Sequence, residues 1–208
     1  MKYLAYNTSI GVEILLSDGK KTIEFCDDEI TAASEALLPK TDEMLAELGM
    51  KLNDLDAIVV FVGPGSFTGI RIGVNTARAF AYALGIPLMG IDNLSVYSLA
   101  LEGSGNVVTY GWGRNFYVAR FKAPGVMEGE AYSLTLDELD TLSGETVCDE
   151  KTAKYADFRL VKDRALFEKE AIKRKIEGGI KDEFDKVLPF YVMPSQAERE
   201  LNEKNKSK

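Results

Sequence analysis

Residues 55–62, "LDAIVVFV", form a nearly unbroken apolar run that is rich in β-branched and aromatic residues. A run of this length without polar alternation is typical of a strand that is buried on both faces, as in a parallel sheet. The glycine-rich stretch "GPGSFTGIRIG" follows at 63–73, and an amphipathic pattern continues to Gly85. The sequence therefore predicts a central strand that turns tightly into a helix.

Other predicted strands surround this unit. Three apolar-rich runs open the chain, at 2–9, 11–18 and 21–27. Asp18-Gly19 is a hairpin turn signal between the last two runs, a helix is predicted at 31–49, and a fifth strand at 87–92. Hairpins followed by right-handed parallel crossovers give a five-stranded mixed sheet covered by helices. The predicted fold class is therefore α/β, with the ribonuclease-H-like topology of the actin–Hsp70 (ASKHA) superfamily in two lobes.

The chain is predicted to divide near the glycine- and serine-rich "LEGSGN". The first lobe spans 1–103, a smaller α+β lobe spans 104–194, and a polar tail at 195–208 is expected to form a helical turn or to be disordered. Strands of the second lobe are predicted near 106–111, 116–122, 130–134 and 145–149. Its helices are predicted near 136–142 and 164–177, and the mixed charges of "LFEKEAIKRKIEG" indicate a solvated helix face.

Composition excludes several classes of function. The 208 residues carry a net charge of −8, so any contact with nucleic acid is expected to be indirect, through a basic partner. The sequence contains no histidine, and its two cysteines form no CxxC pair, so we predict neither a metal site nor a catalytic residue. The apolar start of the chain is too short for a signal peptide or a membrane span, which predicts a cytoplasmic protein without membrane contact.

The glycine-rich loop has two interpretations. In one, an anion or nucleotide lies on backbone amides at the start of the helix. In the other, the loop is a tight turn in which a serine or threonine caps the helix. The loop lacks the lysine of a P-loop and departs from G-x-G-x-x-G at position 68, which favours the turn. The residues of this loop that matter in either case are Gly63, Gly65, Ser66, Thr68 and Gly69.

Each of the first two helices presents side chains that a partner would recognise. The first has an apolar stripe wider than one sheet-facing side needs, made of Leu37, Leu38, Thr41, Met44, Leu45 and Leu48. The second carries four residues on the face opposite its apolar stripe, namely Arg71, Asn75, Arg78 and Tyr82. Arginine and tyrosine are enriched in binding hot spots, whereas charged helix residues are more often simply solvated. A two-helix docking surface and a solvated face are both open alternatives.

The stretches "YLAYNTS", "LLP" and "GPGSFTGIRIG", with the helix and strand that follow, closely resemble the bacterial TsaB family, also called YeaZ. The match covers roughly the first half of the chain, and the loop is its most specific motif. The resemblance implies a two-lobed actin-like fold and a role in installing threonylcarbamoyl on adenosine 37 of tRNA. It also implies that the transferase is the paralogue TsaD, that pairing uses the helices at 34–48 and 70–84, and that the ATPase TsaE is recruited.

The chain departs from the family pattern in both lobes. Asn7 replaces an aspartate after the first strand, and Ala33 replaces a histidine at the first helix. Tyr110-Gly111-Trp112 replaces an Asp-Ala-Arg motif, and Met193 replaces an arginine. These differences weaken the expectation of a ligand pocket between the lobes and leave the two pairing helices unchanged.

Two hypotheses follow. The first is a non-catalytic subunit that pairs with a TsaD-like paralogue, helps to recruit a TsaE-like ATPase, and has no cofactor of its own. Within this hypothesis, a nucleotide at a subunit interface and self-pairing of the isolated chain are open alternatives. The second hypothesis, by analogy of fold alone, is a small nucleotide-dependent phosphotransferase or ATPase.

Overall fold

The first sheet of the protein has the predicted topology. The structure is a computed structural model that describes residues 1–30, 32–179 and 184–193. The strands of this sheet are Tyr3–Asn7 (β1), Val12–Ser17 (β2), Thr22–Asp27 (β3), Ala57–Phe61 (β4) and Leu88–Ile91 (β5). Their spatial order is β3-β2-β1-β4-β5, in which β1 to β3 are antiparallel and β1, β4 and β5 are parallel. The ribonuclease-H-like sheet is thus confirmed.

β4 lies between β1 and β5 and is buried along its whole length. Ile58 and Val60 belong to the core on one side of the sheet, and Val59 and Phe61 belong to the core on the other side. Successive side chains of a strand point to opposite faces, and here both faces are covered. This explains why the sequence of β4 shows no polar alternation.

The α-helices of the described residues are Ala33–Glu47 (α1), Phe67–Leu84 (α2), Asn93–Ser98 (α3) and Arg164–Glu177 (α4). α1 and α2 cover one face of the first sheet, and α4 covers the other. Side chains of Ser66, Asp92 and Asp163 cap the N-termini of α2, α3 and α4. Gly85 ends α2 in the left-handed conformation, at φ 64°, as predicted.

The second sheet repeats the topology of the first. Its strands are Gly105–Tyr110 (β6), Asn115–Ala123 (β7), Val126–Thr135 (β8), Thr146–Cys148 (β9) and Arg159–Leu160 (β10). Their order is β8-β7-β6-β9-β10, with antiparallel pairs on the β8 side and parallel pairs on the β10 side. The predicted strands of this region are confirmed. Sequence analysis missed β10, because two residues show no periodicity, and it also missed the duplication.

α4 returns to the first sheet after the second sheet is complete. Its Ile172 is buried in the core that contains Ala5 and Val59. Phe167 packs against this core and also against the core beside the second sheet. The two sheets therefore share packed side chains through α4.

Some predictions about the chain as a whole are not tested by these elements. The lobe limits at 1–103 and 104–194 stay a prediction, and the predicted tail at 195–208 lies outside the described residues. Within the described part of the chain, no helix has both the length and the hydrophobicity that crossing a membrane requires.

Candidate functional site

A cleft lies between the two sheets, near the carboxyl ends of their parallel strands. Residues that follow β1, β4 and β5 line one wall, and residues at the ends of β6 and β9 line the opposite wall. The cavity has a volume of about 740 Å³ and is also lined by Arg164 and Glu168 of α4 and by residues 190–193. Open α/β sheets bind ligands at this position, so the polar groups of the cleft decide what it can hold.

The glycines of the loop between β4 and α2 permit close contact with the turn between β1 and β2. A Cβ atom on Gly69 would lie 2.0 Å from the carbonyl oxygen of Thr8, and one on Gly65 would lie 2.5 Å from the Cβ of Ser9. A Cβ atom on Gly73 would lie 2.3 Å from the Thr8 hydroxyl oxygen. α2 and its loop therefore rest directly on this turn, at a separation that only glycine allows.

Hydrogen bonds join the same two segments. The Ser66 amide donates to the Ser9 carbonyl at 2.9 Å, and the Thr8 hydroxyl donates to the Gly69 carbonyl at 2.7 Å. The Ser66 hydroxyl accepts from the Gly69 amide at 3.2 Å, which makes Ser66 the cap of α2. These contacts support the turn interpretation of the loop. Thr68 lies exposed in the first turn of α2, and its contact with an anion stays a prediction.

Asn7 is the last residue of β1, at the position where the family resemblance predicted an aspartate. Its amide nitrogen donates to Glu168 Oε1 at 2.7 Å and to Asn93 Oδ1 at 3.3 Å. Its side-chain oxygen accepts from the backbone amide and the hydroxyl of Ser9. The backbone amide of Asn93 donates to the Gly63 carbonyl at 2.7 Å. Asparagine carries no charge, and the hydrogen-bonding atoms of the Asn7 side chain are paired within the protein. Asn7 therefore supplies no negative charge toward a metal ion.

A buried acid–base cluster holds α4 against β2. Arg164 donates to Glu13 Oε2 at 2.8 and 3.0 Å and lies 3.5 Å from Glu168, and both carboxyl groups are buried. Burial and the neighbouring Glu13 carboxylate raise the pKa of Glu168 well above its ordinary value. The raised pKa favours the neutral form of Glu168, and Arg164 also lies 3.2 Å from the exposed Asp28 carboxylate, so opposite charges are paired on this wall of the cleft.

The opposite wall is formed by residues that follow β6 and β9. Asp149 accepts hydrogen bonds from the amides of Tyr110 at 3.2 Å and Thr152 at 2.9 Å, and burial raises its pKa. The buried Thr109 hydroxyl has no hydrogen-bond partner among the described residues. No group of three or more cysteine or acidic side chains is placed to hold a metal ion within the described ranges.

Sequence analysis missed Asn93, Asp149, Arg164 and Glu168 as residues of this cleft. The mixed charges around Glu168 indicated a solvated face, and this interpretation is wrong for Glu168, which is fully buried. Glu168 lies four residues before the buried Ile172 and therefore shares its helix face. That register with an apolar position was the signal in the sequence.

The six residues predicted on α1 divide into core and surface. The buried members, which pack with the first sheet, are Leu37, Thr41, Met44 and Leu45. The Thr41 hydroxyl forms a hydrogen bond with the Tyr6 hydroxyl at 2.8 Å, so this polar group has a partner within the core. Leu48 packs at the edge of the core, and Leu38 is 50% exposed. The exposed acidic residues of α1 are Glu35, Asp42, Glu43 and Glu47.

The four residues predicted on α2 share its outer face. Asn75 and Tyr82 are exposed, and Tyr82 has 80% of its surface accessible. Arg71 is exposed, contacts Tyr191 and, with it, lines the cleft, whereas Arg78 is partly buried beneath residues 184–187. Binding of a partner to this face stays a prediction.

Comparisons with known proteins agree with this architecture. The sequence profile of the family described as "TsaD: tRNA N6-adenosine threonylcarbamoyltransferase" matches residues 30–183. An uncharacterized protein of Mycobacterium tuberculosis is 41% identical over 90 residues, which are 43% of this chain and 43% of that protein. The Haemophilus influenzae tRNA threonylcarbamoyladenosine biosynthesis protein TsaB is 40% identical over 78 residues, which are 36% of this chain and 33% of that protein.

A solved structure shares the fold over nearly the whole chain. YeaZ from Pseudomonas aeruginosa has a TM-score of 0.65 at 20% sequence identity, and the match covers 91% of this chain and 99% of that one. The sequence matches to the curated relatives span less than half of those proteins.

Two sheets of identical order on either side of a cleft define the actin-like (ASKHA) class of two-lobed proteins. Because the family profile spans most of the chain, the chain belongs to the TsaD-related family, and it is similar to proteins named TsaB and YeaZ. The resemblance seen in the sequence is thus confirmed.

Replacing Gly69 by alanine should destabilise the protein, because the new Cβ would overlap the backbone oxygen of Thr8. Overpacking of this kind costs about 1–3 kcal/mol and lowers the melting temperature. Gly103→Ala is the matched control, since nothing lies within 4 Å of a Cβ at that position. Thermal unfolding followed by circular dichroism compares the two variants, and equal melting temperatures would contradict the close-packing explanation.

Glu168→Gln should make stability less dependent on pH. The raised pKa of Glu168 means that the folded state keeps a proton that the unfolded state releases, so the contribution of Glu168 to wild-type stability falls as pH rises above 4.5 toward the folded pKa. A glutamine at position 168 can still accept the hydrogen bond from Asn7 and can donate one to Glu13. It carries no charge at any pH, so no charge has to be buried. The free energy of unfolding of the variant should therefore increase relative to that of wild type as pH rises, by up to about 1.4 kcal/mol per pH unit.

Urea unfolding at several pH values between 5 and 8 measures this difference. Glu170→Gln on the same helix is the control, because the Glu170 side chain is 38% exposed and its pKa is lowered, chiefly by a hydrogen bond from Arg174. Parallel stability profiles for wild type and Glu168→Gln would show that Glu168 is not the buried neutral acid described above.

Proposed function

We propose that this chain is the non-catalytic subunit of the system that installs threonylcarbamoyl on adenosine 37 of tRNA, and that it pairs with a TsaD-like subunit through α1 and α2. The observation that carries the proposal is the outer face of these two helices. Leu38 and Tyr82 are large apolar side chains exposed there, with exposed acidic residues along α1 and Arg78 one turn before Tyr82 on α2. Exposed apolar residues rimmed by charges are typical of protein interfaces.

The cleft offers little support for chemistry by this chain alone. Asn7 is neutral, and the side chains of Thr8 and Ser66 make hydrogen bonds within the protein. The sequence contains no histidine. These features weigh against a nucleotide-dependent phosphotransferase and in favour of a subunit that acts by binding.

The proposal extends to the other components of the system. A TsaE-like ATPase would join the pair, tRNA would be contacted mainly through the partner because this chain has a net charge of −8, and the complex would work in the cytoplasm. Without its paralogue, the chain would pair with a second copy, since the exposed acidic residues of α1 in one copy are complementary in charge to the arginines of α2 in the other.

Co-purification with the TsaD-like subunit of the same organism tests the pairing. We expect size-exclusion chromatography with light scattering to show a heterodimer for wild type and separate subunits for the double variant Leu38→Asp/Tyr82→Asp. Both residues are exposed, so the variant should fold, whereas Leu45→Asp would place a charge in the core and is unsuitable.

Leu166→Asp on α4 is the matched control for this experiment. Leu166 is 57% exposed and lies on a helix that packs on the opposite face of the first sheet. The control should keep the complex. A heterodimer that forms equally well with the double variant would contradict pairing through α1 and α2.

A further inference from the structure

Residues 184–187 contact the outer side of α2, and residues 190–193 continue into the lining of the cleft. Val187 is buried in the core beneath α1 and α2. The Phe190 amide donates to the Val62 carbonyl at 2.7 Å, which attaches the segment to the chain just after β4. Val187 and this hydrogen bond thus anchor the segment on the first sheet, and Phe190 and Val192 pack against the core beside the second sheet.

The segment also holds both arginines of α2. Arg78 Nη1 donates to the Val187 carbonyl at 3.0 Å, and its guanidinium lies 4.2 Å from the ring centre of Phe184. Arg71 Nε donates to the Tyr191 hydroxyl at 2.8 Å. Both guanidinium groups are therefore oriented by the segment before any partner arrives, which lowers the entropic cost of using them in an interface.

Anchoring does not account for the apolar side chains that the segment exposes. Leu188 is 57% exposed, although it adjoins the buried Val187, and Phe184 and Tyr191 are each 37% exposed. The ring of Phe184 lies 6.0 Å from the ring of Tyr82, so the segment continues the exposed face of α2. Contiguous exposed apolar side chains mark interaction surfaces.

The α2 side of this surface carries the positive charge of two arginines, whereas α1 carries exposed acidic residues. The carboxylate paired with Arg78 is that of Asp185, at 4.0 Å and almost fully exposed, so the pair is weak. Arg71 contacts aromatic rings, and no ion pair joins it to a carboxylate of the described residues. A complementary occupant would carry carboxylates beside its apolar side chains.

We infer that residues 184–193 are a third element of the docking surface, beside α1 and α2, and that they receive an amphipathic helix of the partner subunit whose apolar side chains are flanked by carboxylates. This inference rests on the proposed function, because it assigns a further part of the same pairing surface. The partner subunit contacts this segment directly, in addition to the contacts that the segment makes with α2.

Substitutions at Leu188 test the inference without disturbing the core, because this side chain points mostly into solvent. Leu188→Asp should weaken binding of the TsaD-like subunit by about tenfold or more, since it removes an apolar contact and repels the partner's carboxylates. Leu188→Lys should weaken binding less than Leu188→Asp does. Leu166→Asp has the same wild-type exposure and should change the dissociation constant by less than about twofold.

Isothermal titration calorimetry measures the dissociation constants, and hydrogen exchange should show slower exchange at 184–193 in the complex. If the Leu188 variants bind like wild type while Leu38→Asp/Tyr82→Asp does not bind, the segment is not part of the surface and only this inference fails. If the Leu188 variants weaken binding and the α1–α2 double variant does not, the proposed pairing helices are wrong. Absence of any complex with wild type would overturn both.

Discussion

The contact between α2 and the turn that follows β1 is the constraint on which the first lobe depends. Gly65, Gly69 and Gly73 let the helix and its loop approach Thr8 and Ser9 more closely than any side chain would permit. The hydrogen bonds across this contact fix the start of α2. The position of the helix then determines which of its side chains are exposed. A loop that resembles a phosphate cradle in sequence thus positions a helix.

The same contact influences what the cleft can do. The side chains of Thr8 and Ser66, which an anion would use, are hydrogen-bonded within the protein, and Asn7 is tied to Glu168 and Asn93. The buried charges of the α4 wall largely neutralise one another. The binding surface that we propose lies instead on the outside, along α1, α2 and residues 184–193. A protein built in this way is suited to present a surface to a partner.

The sequence predicted the features that have strong local signals. β4 and α2 follow from an unbroken apolar run, a capping serine and a terminal glycine, and the strand order follows from hairpin and crossover rules. The duplicated second sheet was missed, because topology can repeat where the residues do not. Glu168 was misinterpreted because a charged residue at an apolar helix position looks solvated until its partners are known. The segment at 184–193 has no periodicity, so its packing on α2 depends on contacts distant in sequence.

The content of threonylcarbamoyladenosine in cellular tRNA tests the central claim most directly. In a strain that lacks this chain, wild-type protein should restore the modified nucleoside, as measured by mass spectrometry of digested tRNA. A variant that accumulates to the same level but carries aspartate at positions 38 and 82 should not restore it. Full restoration by this variant would show that the outer face of α1 and α2 is not what the protein contributes.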